Sequence, residues 1–282
     1  MTAGDRGRGR GVLDSGHEHI AGGETAVGSA ARVKVMRLIA VASLVAVFAA
    51  GAAAQRRGFS QFRGPDQLPN VTADGGFTFA RVRYAEYRGW RADYPMMEQN
   101  LATMLREMTT VQTDPSRTNV HAFDDPELNL FPIAYLSEPG YWYPTESEVL
   151  GLRQYLARGA FLIVDDFHFA DEWAVFETAM KRVLPDARID RLDISHPIFD
   201  TFFHIKTLAV PYPGRLGERG VMGEFYGIHE DNDPTRRLMV VINYNMDIGD
   251  YIEWSGEDIY ARAATTDAYK FGINYIIYGL TH

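Results

Sequence analysis

Three ionisable side chains follow one of the most apolar short segments of the chain. Asp165, Asp166 and His168 come directly after residues 160–164, which read Ala-Phe-Leu-Ile-Val. In extended backbone Asp166 and His168 point the same way. Together they could bind a divalent metal ion, or all three could serve as catalytic acid and base. The structural alternative is that an aspartate caps the next turn while the His168 ring packs beneath a helix.

Two arginines and a second histidine are further candidates for ligand binding. Arg81 and Arg83 lie on one side of a predicted strand, where two guanidinium groups could clamp a carboxylate or a phosphate. Ion pairs with internal acids are an equal alternative in an acidic chain. His196 precedes Pro197, and it either brings a second imidazole to the same edge or satisfies a turn.

The composition excludes several classes of function. The chain has no cysteine, which removes disulfides, thiolate metal sites and cysteine nucleophiles. Its 28 Lys and Arg against 37 Asp and Glu give a net charge of −9, so nucleic acid is not an expected partner. It also lacks a glycine-rich phosphate loop and a Gly-x-Ser-x-Gly motif, which disfavours nucleotide-binding and α/β-hydrolase chemistry.

Strand-like and helix-like segments alternate along the chain. Strands are predicted at 77–84, 119–123, 131–136, 160–164, 221–228 and 238–244. Helices are predicted from the apolar spacing at 97–108, from a capping box at Thr145 and Glu148 to about residue 157, from a cap at Asp171, and over 267–280. This alternation predicts a doubly wound, mostly parallel α/β sheet with helices on both faces. Ligands of such sheets bind beyond the carboxyl ends of the strands, where Asp165 and Asp166 stand.

The N-terminal part has the features of an export signal. Residues 36–54 read as a basic start, an apolar run over 38–50 and an Ala-rich cleavage site, which is typical of a signal peptide. Residues 1–35 are then a disordered segment from a start codon assigned too early, residues 55–76 an extension, and residues 77–282 one domain. The expected location is periplasmic or otherwise extracytoplasmic. Membrane association is expected only if the signal stays uncleaved as an anchor.

Several motifs together resemble a known bacterial family. They include Arg81-Val82-Arg83-Tyr84, Asp93-Tyr94-Pro95, residues 159–168, Glu172-Trp173, His196-Pro197-Ile198-Phe199 and Gly272-Ile273-Asn274. From about residue 77 to the C-terminus the chain resembles the domain-of-unknown-function family 4159 (DUF4159). The resemblance implies a flavodoxin-like fold of the class I glutamine amidotransferase-like superfamily. It also implies an envelope setting, since longer relatives join this domain to membrane segments and von Willebrand-type modules.

The chain departs from that superfamily at the position of its nucleophile. Where the superfamily's enzymes carry a cysteine on a strand-to-helix elbow, this chain has Asp165-Asp166. We therefore expect a non-catalytic module that binds a small ligand or an envelope protein without a cofactor. The alternative is a hydrolase, metal-dependent or acid/base and acting on carbohydrate, that uses Asp165, Asp166 and His168 with His196.

Overall fold

Seven strands form a single sheet. The computed structural model describes residues 68–85 and 89–282, so the predicted disordered segment 1–35, the predicted signal 36–54 and residues 55–67 lie outside it. The strands are β1 (Phe77–Val82), β2 (Thr113–His121), β3 (Ile133–Ser137), β4 (Phe161–Phe167), β5 (Asp190–Arg191), β6 (Glu224–His229) and β7 (Leu238–Tyr244).

The order of the strands confirms the doubly wound fold. It is β2-β1-β3-β4-β7-β6-β5. The first five strands in this spatial order, from β2 to β7, are parallel. The strands β6 and β5 continue the sheet in antiparallel pairing. The parallel part has the order found in flavodoxin-like sheets.

Helices cover both faces of the sheet. They are α1 (Met96–Met108), α2 (Glu146–Ala157), α3 (Phe169–Val183), α4 (Arg215–Glu218), α5 (Ile248–Glu253) and α6 (Arg262–Thr281). The helices α1, α5 and α6 pack on one face, and α2 and α3 pack on the other. Among the helices within residues 68–85 and 89–282, none combines the length and apolar character needed to cross a bilayer.

The central strand β4 is buried on both sides, as the apolar run predicts. Phe161 and Ile163 pack under α1 and α6, whereas Leu162 and Val164 pack under α2 and α3. None of the four is more than 3% exposed. A parallel strand between two helical layers requires such a run, because neither of its faces meets water.

Of the two helix starts that the sequence predicts from capping residues, one is confirmed and the other is wrong. Thr145 and Glu148 form the capping box that opens α2. The cap expected at Asp171 is wrong, because α3 begins at Phe169 with His168 in the N-cap position. Asp171 lies instead in the first turn, where a carboxylate still interacts favourably with the helix dipole.

The sheet has its switch point between β1 and β3. The crossover from β1 to β2 runs through α1 on one face, and the crossover from β3 to β4 runs through α2 on the other. The two connections leave a crevice at the carboxyl ends of β1 and β3, which is where open α/β sheets bind ligands.

Candidate functional site: an acidic rim at the carboxyl ends of the strands

Asp165 is a structural anchor whose oxygens are fully engaged. Its Oδ2 accepts hydrogen bonds from the Tyr135 hydroxyl at 2.5 Å and from the backbone amides of Ile248 and Gly249 at 2.9 and 3.0 Å. Its Oδ1 accepts a hydrogen bond from the Asn243 side chain at 2.9 Å. These bonds supply partners for the first amides of α5, which a helix leaves unpaired.

Burial and hydrogen bonding act in opposite directions on Asp165. The side chain has no exposed surface. Burial raises its pKa to about 6, although the hydrogen bonds from Tyr135, Asn243 and the two amides favour the ionised form. The carboxylate is therefore charged at neutral pH and saturated with donors. Its role is to fix β3, β4, β7 and α5 to one another.

Asp166 has a different environment, although it is the next residue. Its backbone has a φ of 60°, in the left-handed region, and the register between β4 and β7 shifts between Val164 and Phe167. The shift lets the Asp166 amide donate to the Met246 carbonyl at 3.1 Å. The residue is 8% exposed, and its Oδ1 accepts a hydrogen bond from the Tyr212 hydroxyl at 3.1 Å.

Three aspartates from separate segments converge at this edge. Asp93 lies in the loop between β1 and α1, Asp166 is the penultimate residue of β4, and Asp247 is the N-cap of α5. One carboxylate oxygen from each lies within 4.8 Å of the other two. We call Asp93, Asp166 and Asp247 the acidic rim. Asp250 and Glu253 form a second group of this kind with Asp93.

The pKa values of all three carboxyl groups of the acidic rim are raised above the ordinary value of aspartate. Burial, followed by the charges of Glu138 and Asp165, raises the pKa of Asp166 to about 8. Burial and the charge of Asp166 also raise the pKa values of Asp93 and Asp247 well above the usual range. The folded chain therefore holds protons here that an exposed aspartate would release.

His168 lies beside the acidic rim and is not one of its members. In a regular strand the side chains of Asp166 and His168 would point to the same side of the sheet. The left-handed backbone at Asp166 interrupts this pattern. The His168 ring packs edge-on against Tyr212 with 5.3 Å between ring centres, and its Nδ1 lies 3.4 Å from Glu172 Oε2. Within the described residues, His168 belongs to none of the clusters of three ligating side chains.

Arg81 is buried and engaged with internal partners, which was the alternative to a ligand clamp. Its Nε donates to Glu98 Oε1 at 2.6 Å, and its Nη1 donates to the Trp90 and Ala92 carbonyls. The guanidinium stacks over the Tyr135 ring at 4.5 Å. Although burial opposes the charge, Glu98 keeps the pKa of Arg81 above its ordinary value.

Arg83 does not join Arg81 in a clamp. It is exposed beyond the end of β1, near a separate group of His121, Asp125 and Glu127. His121 Nδ1 lies 2.7 Å from Asp125 Oδ2. Burial alone would raise the pKa of Asp125. Hydrogen bonds from His121 and the Glu127 amide, together with the positive charges of His121 and Arg83, outweigh burial and lower this pKa.

The structure does not bring His196 to this edge, which corrects the expectation from the sequence. Its Nε2 lies 3.2 Å from Nε2 of His229, at the end of β6. Because β6 runs antiparallel to β7, His229 pairs with Leu238 at the amino end of β7. His196 therefore sits at the opposite edge of the sheet from Asp166.

Sequence reasoning missed Asp93, Asp247 and Tyr212. Asp247 follows the predicted strand 238–244, so the rule that singled out Asp165 and Asp166 could have found it. Asp93 is part of the quoted Asp93-Tyr94-Pro95 motif, but only the fold brings it to Asp166. Tyr212 lies in an irregular stretch without a periodic pattern.

The family of the chain is shown by a match to a family model. The model for a domain of unknown function, DUF4159, matches residues 78–280. The chain belongs to this family. The match spans β1 to α6 and so includes the whole acidic rim. No curated protein matches the chain.

Proposed function

We propose that this DUF4159 chain is an exported, non-catalytic binding domain whose acidic rim receives a positively charged group of a ligand or an envelope partner. The observation that carries the proposal is the meeting of Asp93, Asp166 and Asp247 within 4.8 Å at the carboxyl ends of the strands. Three acids from three segments crowd together there at a cost to folding, which is typical of a site kept for binding.

Aromatic rings beside the acidic rim support a cationic ligand. The Tyr212 hydroxyl bonds Asp166, its ring packs on His168, and His168 packs on Phe169, which is 50% exposed. Tyr141 is 39% exposed, and its pKa is raised by the charge of Glu172, by burial and by the charges of Glu138 and Asp166. Exposed aromatic faces beside carboxylates attract cations by a second mechanism.

The superfamily and the export form part of the same proposal. The left-handed backbone of Asp166, the penultimate residue of β4, bends the chain two residues before the N-cap of α3, as a strand-to-helix elbow does. An amidotransferase-like fold with Asp166 at its elbow has no thiol for glutamine hydrolysis. The composition of residues 36–54 supports export to the periplasm or beyond.

Thermal unfolding tests the binding proposal without a known ligand. Protein purified without a His-tag is melted with Ca²⁺, Mg²⁺, a polyamine, free arginine or a neutral sugar. We expect at least one cation to raise the melting temperature, and the Asp166→Asn variant to lose that shift. Asp171→Asn makes the same substitution at an exposed position and should keep the shift. Equal shifts in parent and Asp166→Asn protein, or no shift at all, would refute the proposal.

A hydrolase is the second candidate, favoured by one specific contact. Carboxyl oxygens of Asp166 and Asp247 lie within 4.8 Å of each other, and the pKa values of both groups are raised. A pair that shares one proton can supply both an acid and a base to a hydrolytic reaction. Turnover of chromogenic glycosides by the parent protein, abolished in both Asp166→Asn and Asp247→Asn, would favour this function over binding alone.

A further inference from the structure

The acidic rim contains one buried polar atom that lacks a hydrogen-bond partner in the described part of the chain. Oδ2 of Asp93 is buried and accepts no hydrogen bond. It lies close to the backbone of Gly249, since a Cβ built on Gly249 would meet this oxygen at 2.4 Å. An unpaired buried carboxylate oxygen is costly, and each such atom in a native fold calls for an explanation.

Ser137 provides an independent observation at the same place. It ends β3, is completely buried, and its Oγ has no hydrogen-bond partner among the described residues. Ser137 pairs with Asp165 across the strands, so its side chain projects from the face that carries Tyr135 and Asp165. The amides of Ile248 and Gly249, next to Asp247, lie over that end of the face. The unpaired hydroxyl therefore lies on the same face and at the same end of the sheet as Asp165, whose Oδ2 binds the residues next to Asp247.

The unpaired oxygens of Asp93 and Ser137 and the carboxylate oxygens of the acidic rim are all hard metal ligands. Resting on the proposed function, we propose that Asp93, Asp166 and Asp247 bind one divalent cation of the Ca²⁺ type, with the Ser137 hydroxyl beside it. Ca²⁺ takes carboxylate oxygens at roughly 2.3 to 2.6 Å, so two ligands of one ion lie at most about 5 Å apart. The rim oxygens meet this limit without rearrangement of the backbone.

Burial favours Ca²⁺ over Mg²⁺. Asp166 is 8% exposed and Asp247 is 6% exposed. Mg²⁺ keeps several water molecules and demands octahedral geometry, whereas Ca²⁺ accepts cages built of protein oxygens. Three ionised carboxylates carry three negative charges, and a bound divalent cation compensates two of them.

Terbium and calcium titrations of the full chain, stripped with EDTA, test the site. Tb³⁺ replaces Ca²⁺ on oxygen ligands, and the nearby Tyr212 ring can sensitise its emission. We expect one bound ion per chain, displaced by Ca²⁺ at lower concentration than by Mg²⁺. Asp93→Asn and Asp166→Asn should each weaken Ca²⁺ binding at least ~10-fold, whereas Asp171→Asn should leave it unchanged. The Asn variants should remain folded in EDTA, which circular dichroism checks.

The outcomes separate this inference from the proposed function. If a polyamine or arginine binds in an Asp166-dependent manner and Ca²⁺ does not, the metal site is wrong and the cationic binding site stands. If no cation binds in that manner, both are wrong. Ca²⁺ affinity that is equal in the parent and in both Asn variants would show adventitious binding elsewhere and would overturn the metal site.

Discussion

The Tyr135 hydroxyl donates to Oδ2 of Asp165 at 2.5 Å across two neighbouring strands. The same oxygen accepts the first two amides of α5, and Asp247 caps that helix. Asp165 therefore positions the acidic rim without belonging to it. The adjacent residue Asp166 belongs to the rim, so two neighbouring aspartates should respond to substitution in opposite ways.

Replacing Asp165 should destabilise the protein strongly. In Asp165→Asn the side-chain amide keeps one acceptor oxygen, but its NH₂ group takes the place of the other and faces hydrogen-bond donors. Buried hydrogen bonds to a charged group are therefore lost. We expect a loss of about 3 kcal/mol in the free energy of unfolding, measured by urea denaturation. Tyr135→Phe removes a single donor and should cost only about 1 kcal/mol. Parent-like stability of Asp165→Asn would show that the network does not hold α5.

Asp166→Asn should stabilise the cation-free protein at high pH. The folded-state pKa of Asp166 is raised to about 8, so folding retains a proton that the unfolded chain loses above its ordinary pKa. The stability of the parent therefore falls as the pH rises towards 8. Asn tolerates the left-handed backbone and carries no charge.

The stability difference between parent and Asp166→Asn should depend on pH. In EDTA at pH 9 the variant should be more stable by ~1 to 3 kcal/mol, and at pH 5, where the parent carboxyl group is protonated, the two should be nearly equal. Urea melts at both pH values measure this. A variant that is less stable than the parent at both would assign Asp166 a purely structural role.

Gly249 is required where the backbone of α5 passes Asp93 and Tyr135. A Cβ at this position would meet Asp93 Oδ2 at 2.4 Å and the Tyr135 hydroxyl at 3.0 Å. Gly249→Ala should therefore cost about 1 to 3 kcal/mol through overpacking, and it should weaken cation binding by displacing Asp93. Gly256→Ala is the matched control, because a Cβ built there would meet no described residue within 4 Å. Equal stability of the two variants would contradict this packing.

The sequence predicted the scaffold better than the site, for physical reasons. The apolar run of β4 and the capping box at Thr145 and Glu148 are local signals, and both are present in the structure. Residues 238–244 were predicted with the bounds that β7 has. In contrast, α5 has six residues, too few for a helical period to be recognised.

The site depends on contacts between residues that are distant in sequence. Asp93 reaches Asp166 only because β1 and β4 flank β3. The partner of Arg81 is Glu98, 17 residues away on α1, and no local pattern selects it over other acids. The misplacement of His196 has a similar cause, since the direction of β6 cannot be deduced from its own residues.

The pairing of His196 with His229 should make the stability of the protein sensitive to acid. The Ile198 amide donates to Nδ1 of His196 at 3.2 Å, so Nε2 of His196 carries the hydrogen and faces His229. Burial, followed by the positive charges of His229 and His282, lowers the pKa of His196 to about 4. Between pH 6.5 and 4 the unfolded chain binds a proton that the folded chain refuses, so stability is lost as the pH falls.

Asparagine at position 196 separates this titration from the structural role of the histidine. Asn can accept the Ile198 amide as an N-cap and cannot titrate. Between pH 7 and 5 the parent should lose about 1 to 2 kcal/mol more than His196→Asn, measured by urea melts at each pH. His204→Asn is the control, because His204 is exposed and should retain the pH dependence of the parent. The same pH dependence in parent and His196→Asn would show that protonation of this pair does not limit the stability of the fold in acid.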